Sequence, residues 1–140
     1  MLHATYYVVA HFHLVMGVAA IFGIFSAAYF WFPKMFGRMM SEPLAKVHFW
    51  ITFAGTYCIF MPMHFVGLAG GLRRYADAAG TNYAAALQPV HMFMPYAAFI
   101  TGAAQLIFLF NFFWSLKHGP VAGKNPWNAT TCLLYTSRCV

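Results

Sequence analysis

Three apolar runs, each long enough to cross a bilayer, leave this chain few folds to choose from. Between Val8 and Phe32 the strongly polar side chains are His11 and His13 alone, and a helix needs about 20 mostly apolar residues to span the hydrocarbon layer. A second run extends from about Val47 to Leu68 and a third from about Val90 to Leu116. With 62% hydrophobic residues and 7% charged ones, the chain falls outside the composition of soluble domains. The expectation is an all-α membrane protein with three transmembrane helices over about 8–32, 47–68 and 90–116. The first helix should stop at Pro33, the second kink at Pro62, and the third carry Pro95 in its first turns, with Gln105 and Asn111 as polar insertions.

Charge sets the orientation. Eight Lys and Arg stand against two acids, a formal +6, but they are scattered singly or in pairs, which excludes nucleic acid as a partner. Lys34, Arg38, Lys46, Lys117 and Lys124 fall on one side of the three spans, Arg73 and Arg74 on the other, so the amino terminus and second loop are expected outside. An arginine pair then sits on the disfavoured side. It could bind lipid headgroups or the anionic tail of a cofactor, and spacing does not choose between them.

The three cysteines, Cys58, Cys132 and Cys139, form no pairing pattern, and no signal peptide precedes the first apolar run. The ending "CLLYTSRCV" changes character abruptly. Residues 132–140 read as non-native sequence derived from a transposon adaptor, leaving 1–131 as the part that carries function.

The stretch "AHFHLV", Ala10 to Val15, puts two imidazoles where hydrocarbon offers them no partner. Positions two apart on an α-helix differ by about 200° around the axis, so His11 and His13 cannot share one ion and must serve two sites. Ionisable residues inside a membrane carry function by default, because leaving an imidazole unsatisfied there costs several kcal/mol. A proton relay would bring acidic partners, and the three spans hold no Asp or Glu. Metal or haem ligation fits better, since neutral imidazole is a good iron ligand. Phe12, between the two, could pack between flat macrocycles. Ala19, Gly23 and Ala27 repeat at every fourth residue, a spacing that lets helices approach closely. His3 reads as an interfacial histidine, and His48, His64, His91 and His118, near span ends, as accommodated rather than ligating.

Four segments, "HATYYVVAHFHLVMG", "YFWFPKMFGRMM", "MHFVGLAGGLRRY" and "GKNPWNATT", together resemble the last three membrane helices of the twelve-helix subunit I of haem–copper oxidases. The resemblance covers residues 1–131. It implies that His11 is the proximal ligand of the high-spin haem at the oxygen-reducing centre, that His13 is an axial ligand of the low-spin haem, and that Phe12 lies between the haems. Arg73 and Arg74 would bind haem propionates, which supplies a reason for positive charge outside. His3 would stand beside a magnesium ion, although Ala4 occupies the place of a family aspartate, and Leu72 that of a proline before the arginines.

The resemblance also implies what must come from elsewhere. The copper ligands, the second low-spin haem ligand and the proton-uptake residues belong to upstream helices of the same subunit, so the chain reads as the carboxy-terminal part of a larger one, with Met1 an internal methionine. Its implied setting is a bacterial cell membrane, in contact with lipid and with oxidase subunits II and III. Cytochrome c would be the electron donor and oxygen the acceptor, with proton pumping; the fragment alone is expected to be inactive. The alternatives are a quinol-oxidising member of the superfamily, a non-catalytic membrane haem electron carrier, and an anchor module without a cofactor.

Overall fold

The computed structural model describes residues 2–74, 84–123 and 125–127. They form three long helices that run up, down and up: α1 (Tyr6–Phe36), α2 (Glu42–Leu68) and α3 (Ala84–His118). All three are long and apolar enough to cross a membrane, and no strand accompanies them among the described residues. The fold class expected from the sequence is the one observed.

The helices outrun the expected spans at several ends. α1 does not stop at Pro33 but continues to Phe36, where Gly37 turns into the left-handed region at φ +67° and donates its N–H to the Pro33 carbonyl at 2.9 Å. Proline in the last turn removes one backbone bond without preventing the residues after it from completing the turn. α3 begins at Ala84 and passes through both Pro89 and Pro95, so Pro95 lies well inside it rather than in its first turns. Residues 13–18 of α1, His13–Val18, form a widened π-helical turn.

Both ends of the bundle are tied by short backbone bridges. At the end where α1 starts, Tyr6 N–H donates to the Gly71 carbonyl at 2.9 Å and Arg73 N–H to the Ala4 carbonyl at 3.0 Å. At the opposite end, Met39 N–H donates to Pro120 O at 2.8 Å, Ala122 N–H to Gly37 O at 2.9 Å, and the Arg38 guanidinium to Gly119 O at 2.8 Å. The last bond places a cation on the carbonyl end of α3, where the helix dipole favours it. The carboxamide of Asn111, fully buried, clamps the residue preceding α2: Ser41 N–H donates to Oδ1 at 3.1 Å and Nδ2 donates to Ser41 O at 3.0 Å. That clamp fixes where α2 begins.

Backbones meet where glycine permits. A Cβ on Gly67 would collide with the backbone of Tyr7 in α1, and one on Gly55 with the Thr101 side chain in α3. Towards the other end, the rings of α1 reach its neighbours instead: Phe22 meets Phe49 at 5.5 Å between centroids, Phe25 meets Phe108 at 4.9 Å, and Phe32 meets Phe112 at 5.3 Å. Within the small-residue stripe of α1, Gly23 has open space around it among the described residues.

His48, expected near an interface, is instead 2% exposed and joins all three helices. Gln105 Nε2 donates to the Thr101 carbonyl at 2.8 Å and to Thr52 Oγ1 at 3.1 Å, which fixes the orientation of its amide. Gln105 Oε1 therefore faces His48 Nε2 at 3.0 Å and can only accept, so Nε2 carries the proton. His48 Nδ1 is left as an acceptor for the Tyr29 hydroxyl at 3.3 Å. Both nitrogens are engaged, and His48 has no lone pair to offer a metal.

Two substitutions test this packing in the assembled membrane protein. Gly67→Ala should destabilise it by about 1–3 kcal/mol, the usual cost of overpacking, because the backbone of Tyr7 cannot swing aside. Gln105→Leu should cost about 1–2 kcal/mol by stranding the His48 N–H inside the bundle. Both effects are read as lower midpoints of thermal unfolding in detergent, and an unchanged midpoint in either variant contradicts the corresponding contact.

Candidate functional site

The two histidines of "AHFHLV" straddle a change in α1, His11 lying in its regular α-helical turns and His13 opening its π-helical segment, and their surroundings differ. His13 is half-buried and turned towards α2. Its ring stacks on Phe60, with centroids 5.1 Å apart and planes 16° from parallel, and meets the edge of Phe12 at 4.9 Å and 79°. Its Nδ1 lies 2.7 Å from the Val9 carbonyl one turn back. A carbonyl only accepts, so Nδ1 carries the proton and the lone pair resides on Nε2. A ligating histidine needs this arrangement: one ring nitrogen tied to a backbone acceptor, the other bare.

His11 is exposed and forms no ring hydrogen bond among the described residues. The structure does not bring the two imidazoles together; one is braced against α2 and the other points away from the bundle. Phe12 is 49% exposed.

Arg73 and Arg74 are exposed in the bend after α2. The bond from Arg73 N–H to the Ala4 carbonyl holds that bend beside the start of α1. Six to eight residues separate Thr5 from His11 and His13, about 9–12 Å along a helix axis. The guanidinium pair therefore stands over the same end of the bundle as the histidines. Guanidinium forks match carboxylates in a bidentate fashion, and a flat group carrying carboxylates, held at its centre by an imidazole and at its rim by arginine, suits this donor set.

His3 is exposed in a short 3-10 turn, Leu2–Ala4. Among the described residues no group of three His, Cys, Asp or Glu side chains could hold a metal ion. Lys124, counted among the charges that set the orientation, and the ending 132–140 lie outside the described residues. The remaining histidines meet aromatic rings: His64 faces Tyr7 at 5.1 Å, His91 faces Tyr6 at 6.2 Å, and His118 stacks on Trp114 at 4.4 Å.

Sequence reasoning missed Phe60 and Val9. Val9 contributes only its carbonyl, which every residue has. Phe60 is one phenylalanine among 16, and nothing short of the register between α1 and α2 would single it out.

The comparisons agree with one another. The protein-family model for Cytochrome C and Quinol oxidase polypeptide I matches residues 1–124. The alternative cytochrome c oxidase subunit 1 of Bradyrhizobium diazoefficiens is 48% identical over 128 residues, covering 91% of this chain and 22% of that protein. Cytochrome c oxidase subunit 1 of a Synechocystis species is 45% identical over 92% of the chain, and that of Cereibacter sphaeroides 44% over 90%; each match again covers 22% of the relative. The chain thus spans about a fifth of the length of the curated relatives it matches.

Proposed function

Because the chain belongs to the Cytochrome C and Quinol oxidase polypeptide I family, we propose that it forms the part of a terminal oxidase's catalytic subunit that ligates both haems. His13 gives Nε2 to the low-spin haem and His11 is the proximal ligand of the high-spin haem, on the opposite side of α1. Phe12 occupies the space between them. Arg73 and Arg74 hold propionates at the outer end. The bound haems supply redox-active iron through which electrons reach oxygen. This chain's contribution is to fix their ligands at two adjacent places on one helix and to neutralise their carboxylates.

The observation that carries this reading is the pair on one membrane helix: His13, whose Nδ1 proton is committed to Val9 and whose Nε2 has no partner among the described residues, and the exposed His11 two residues before it. An anchor module without a cofactor gives no reason for that cost. A carrier of the cytochrome b kind would place its ligands many residues apart along a helix, not two. Between electron donors, the similarity to cytochrome c oxidases favours cytochrome c over quinol. Copper ligands, subunits II and III and the proton-uptake groups complete the enzyme from outside residues 1–131, which pump no protons by themselves. Magnesium would have His3 from this chain, with Ala4 supplying no carboxylate. The bacterial origin of these relatives points to a bacterial cell membrane, and residues 132–140 have no part in the function.

The assignments are separable by spectroscopy of the full-length subunit. His13→Ala should abolish the low-spin haem signal, and His11→Ala should remove the high-spin one. Normal haem content in both variants sinks the proposal.

Arg73→Gln and Arg74→Gln should each lower a haem midpoint potential, because loss of a nearby positive charge favours the more positive, oxidised iron; a redox titration reads the direction. Purified residues 1–131 should reduce no oxygen with cytochrome c, and turnover by that fragment would refute the account of the missing copper ligands.

A further inference from the structure

A histidine that ligates through Nε2 can still turn its ring about the Cβ–Cγ bond, which changes the orientation of the ring plane. In this chain two contacts act on that rotation. The bond from Nδ1 to the Val9 carbonyl, 2.7 Å, comes from the helix that carries His13 and moves with it. The Phe60 ring comes from α2, lies 16° from parallel with the imidazole, and covers one of its faces at 5.1 Å between centroids. A ligand bond leaves an imidazole in the plane of the ring, so a neighbour stacked on the face leaves that bond unobstructed while resisting rotation out of the shared plane. Phe12 meets the imidazole at 79°, and such an edge contact gives no matching flat support.

We propose that Phe60 is a positioning residue for His13, setting the plane of the imidazole, and through it the electronic state of the low-spin haem, without touching the iron. The inference rests on the assignment of His13 as that haem's ligand. Phe60 itself is well placed to stay still. It lies in α2 one turn before His64, whose Nδ1 bonds the Phe60 carbonyl at 3.1 Å. His64 in turn packs against Tyr7 of α1, one turn before His11. Nearby, Gly67 brings the α2 backbone against Tyr7. The distance between the two helices is therefore fixed close to the stack, and the stack inherits that rigidity.

The test uses the full-length subunit in its assembled oxidase and the electron paramagnetic resonance of the oxidised low-spin haem, which reports ligand-plane orientation independently of turnover. Phe60→Leu and Phe60→Met keep apolar bulk but lose the flat face. Both should retain full haem content and show broadened, displaced low-spin lines as the imidazole samples several angles. Phe60→Tyr keeps the face and should give lines as narrow as the parent protein. Unchanged lines in both the Leu and Met variants overturn the proposal, as does a Tyr variant as broad as they are. His13→Ala separates the two levels. If the low-spin signal survives that substitution, the ligand assignment itself fails; if it vanishes while Phe60→Leu and Phe60→Met leave the lines untouched, only the positioning role fails.

Discussion

Hydrocarbon offers a polar side chain no partner, and that single constraint sorts the polar residues of this chain. Inside a bilayer each imidazole, amide or hydroxyl must find its hydrogen bond within the protein, or bind something else. His48 meets the demand completely, with Tyr29 on one nitrogen and Gln105 on the other. Asn111 meets it by taking over the backbone of Ser41 and the hydroxyl of Ser115. His13 meets half of it, and His11 none among the described residues. Hydrogen bonding alone does not sort the histidines, since His64 ties Nδ1 to the Phe60 carbonyl just as His13 ties its own to Val9; what sets His13 apart is its place two residues from the exposed His11.

The same constraint explains why polar contacts cluster on α2 and α3 while α1 is so bare. Of the most apolar stretch in α1 only 6% is buried within the chain, against 22% in each of the other two. Ile24, Trp31 and Met35 all stand more than half exposed. A helix hydrophobic on every side is stable only when surrounded by lipid or by other helices. α1 therefore acts as the boundary of this bundle: its His13 side is closed by α2, and its His11 side is open to whatever completes the subunit. Gly23 is likewise exposed, with open space where a side chain would stand among the described residues.

Much of this was legible in the residues. Length and apolarity predict three helices because a membrane imposes both. The i, i+2 spacing of His11 and His13 predicts different faces from helix geometry alone, and their surroundings do differ. What could not be read depends on contacts between helices. The role of His48 requires Tyr29, Gln105 and Thr52 to converge from three helices, separated by 19 and 57 positions along the chain for the bonds to His48 itself. Pro33 and Pro95 misplace helix ends because proline removes one hydrogen bond, and neighbouring contacts decide whether a helix survives the loss. Phe60 is invisible for the same reason as Val9: its identity is ordinary and its position is everything.

On the proposed reading, placing both ligands two residues apart has a consequence that tertiary packing could not deliver. Ligands on separate helices would change their separation whenever those helices shifted, whereas the Cα atoms of His11 and His13 are joined by two peptide units that do not stretch. The relative position of the two centres is then a property of one helical turn. Side-chain angle is the freedom that remains, and the chain treats its two histidines differently in this respect. His13 has Val9 and Phe60 to hold its ring, while His11 has no such brace among the described residues. From His13 onward the helix widens into the His13–Val18 π-turn. Irregularity of this kind collects at functional sites because it re-aims side chains at the expense of regular hydrogen bonding. Here it begins at His13 itself, so the regular α-helical geometry ends at the second member of the pair.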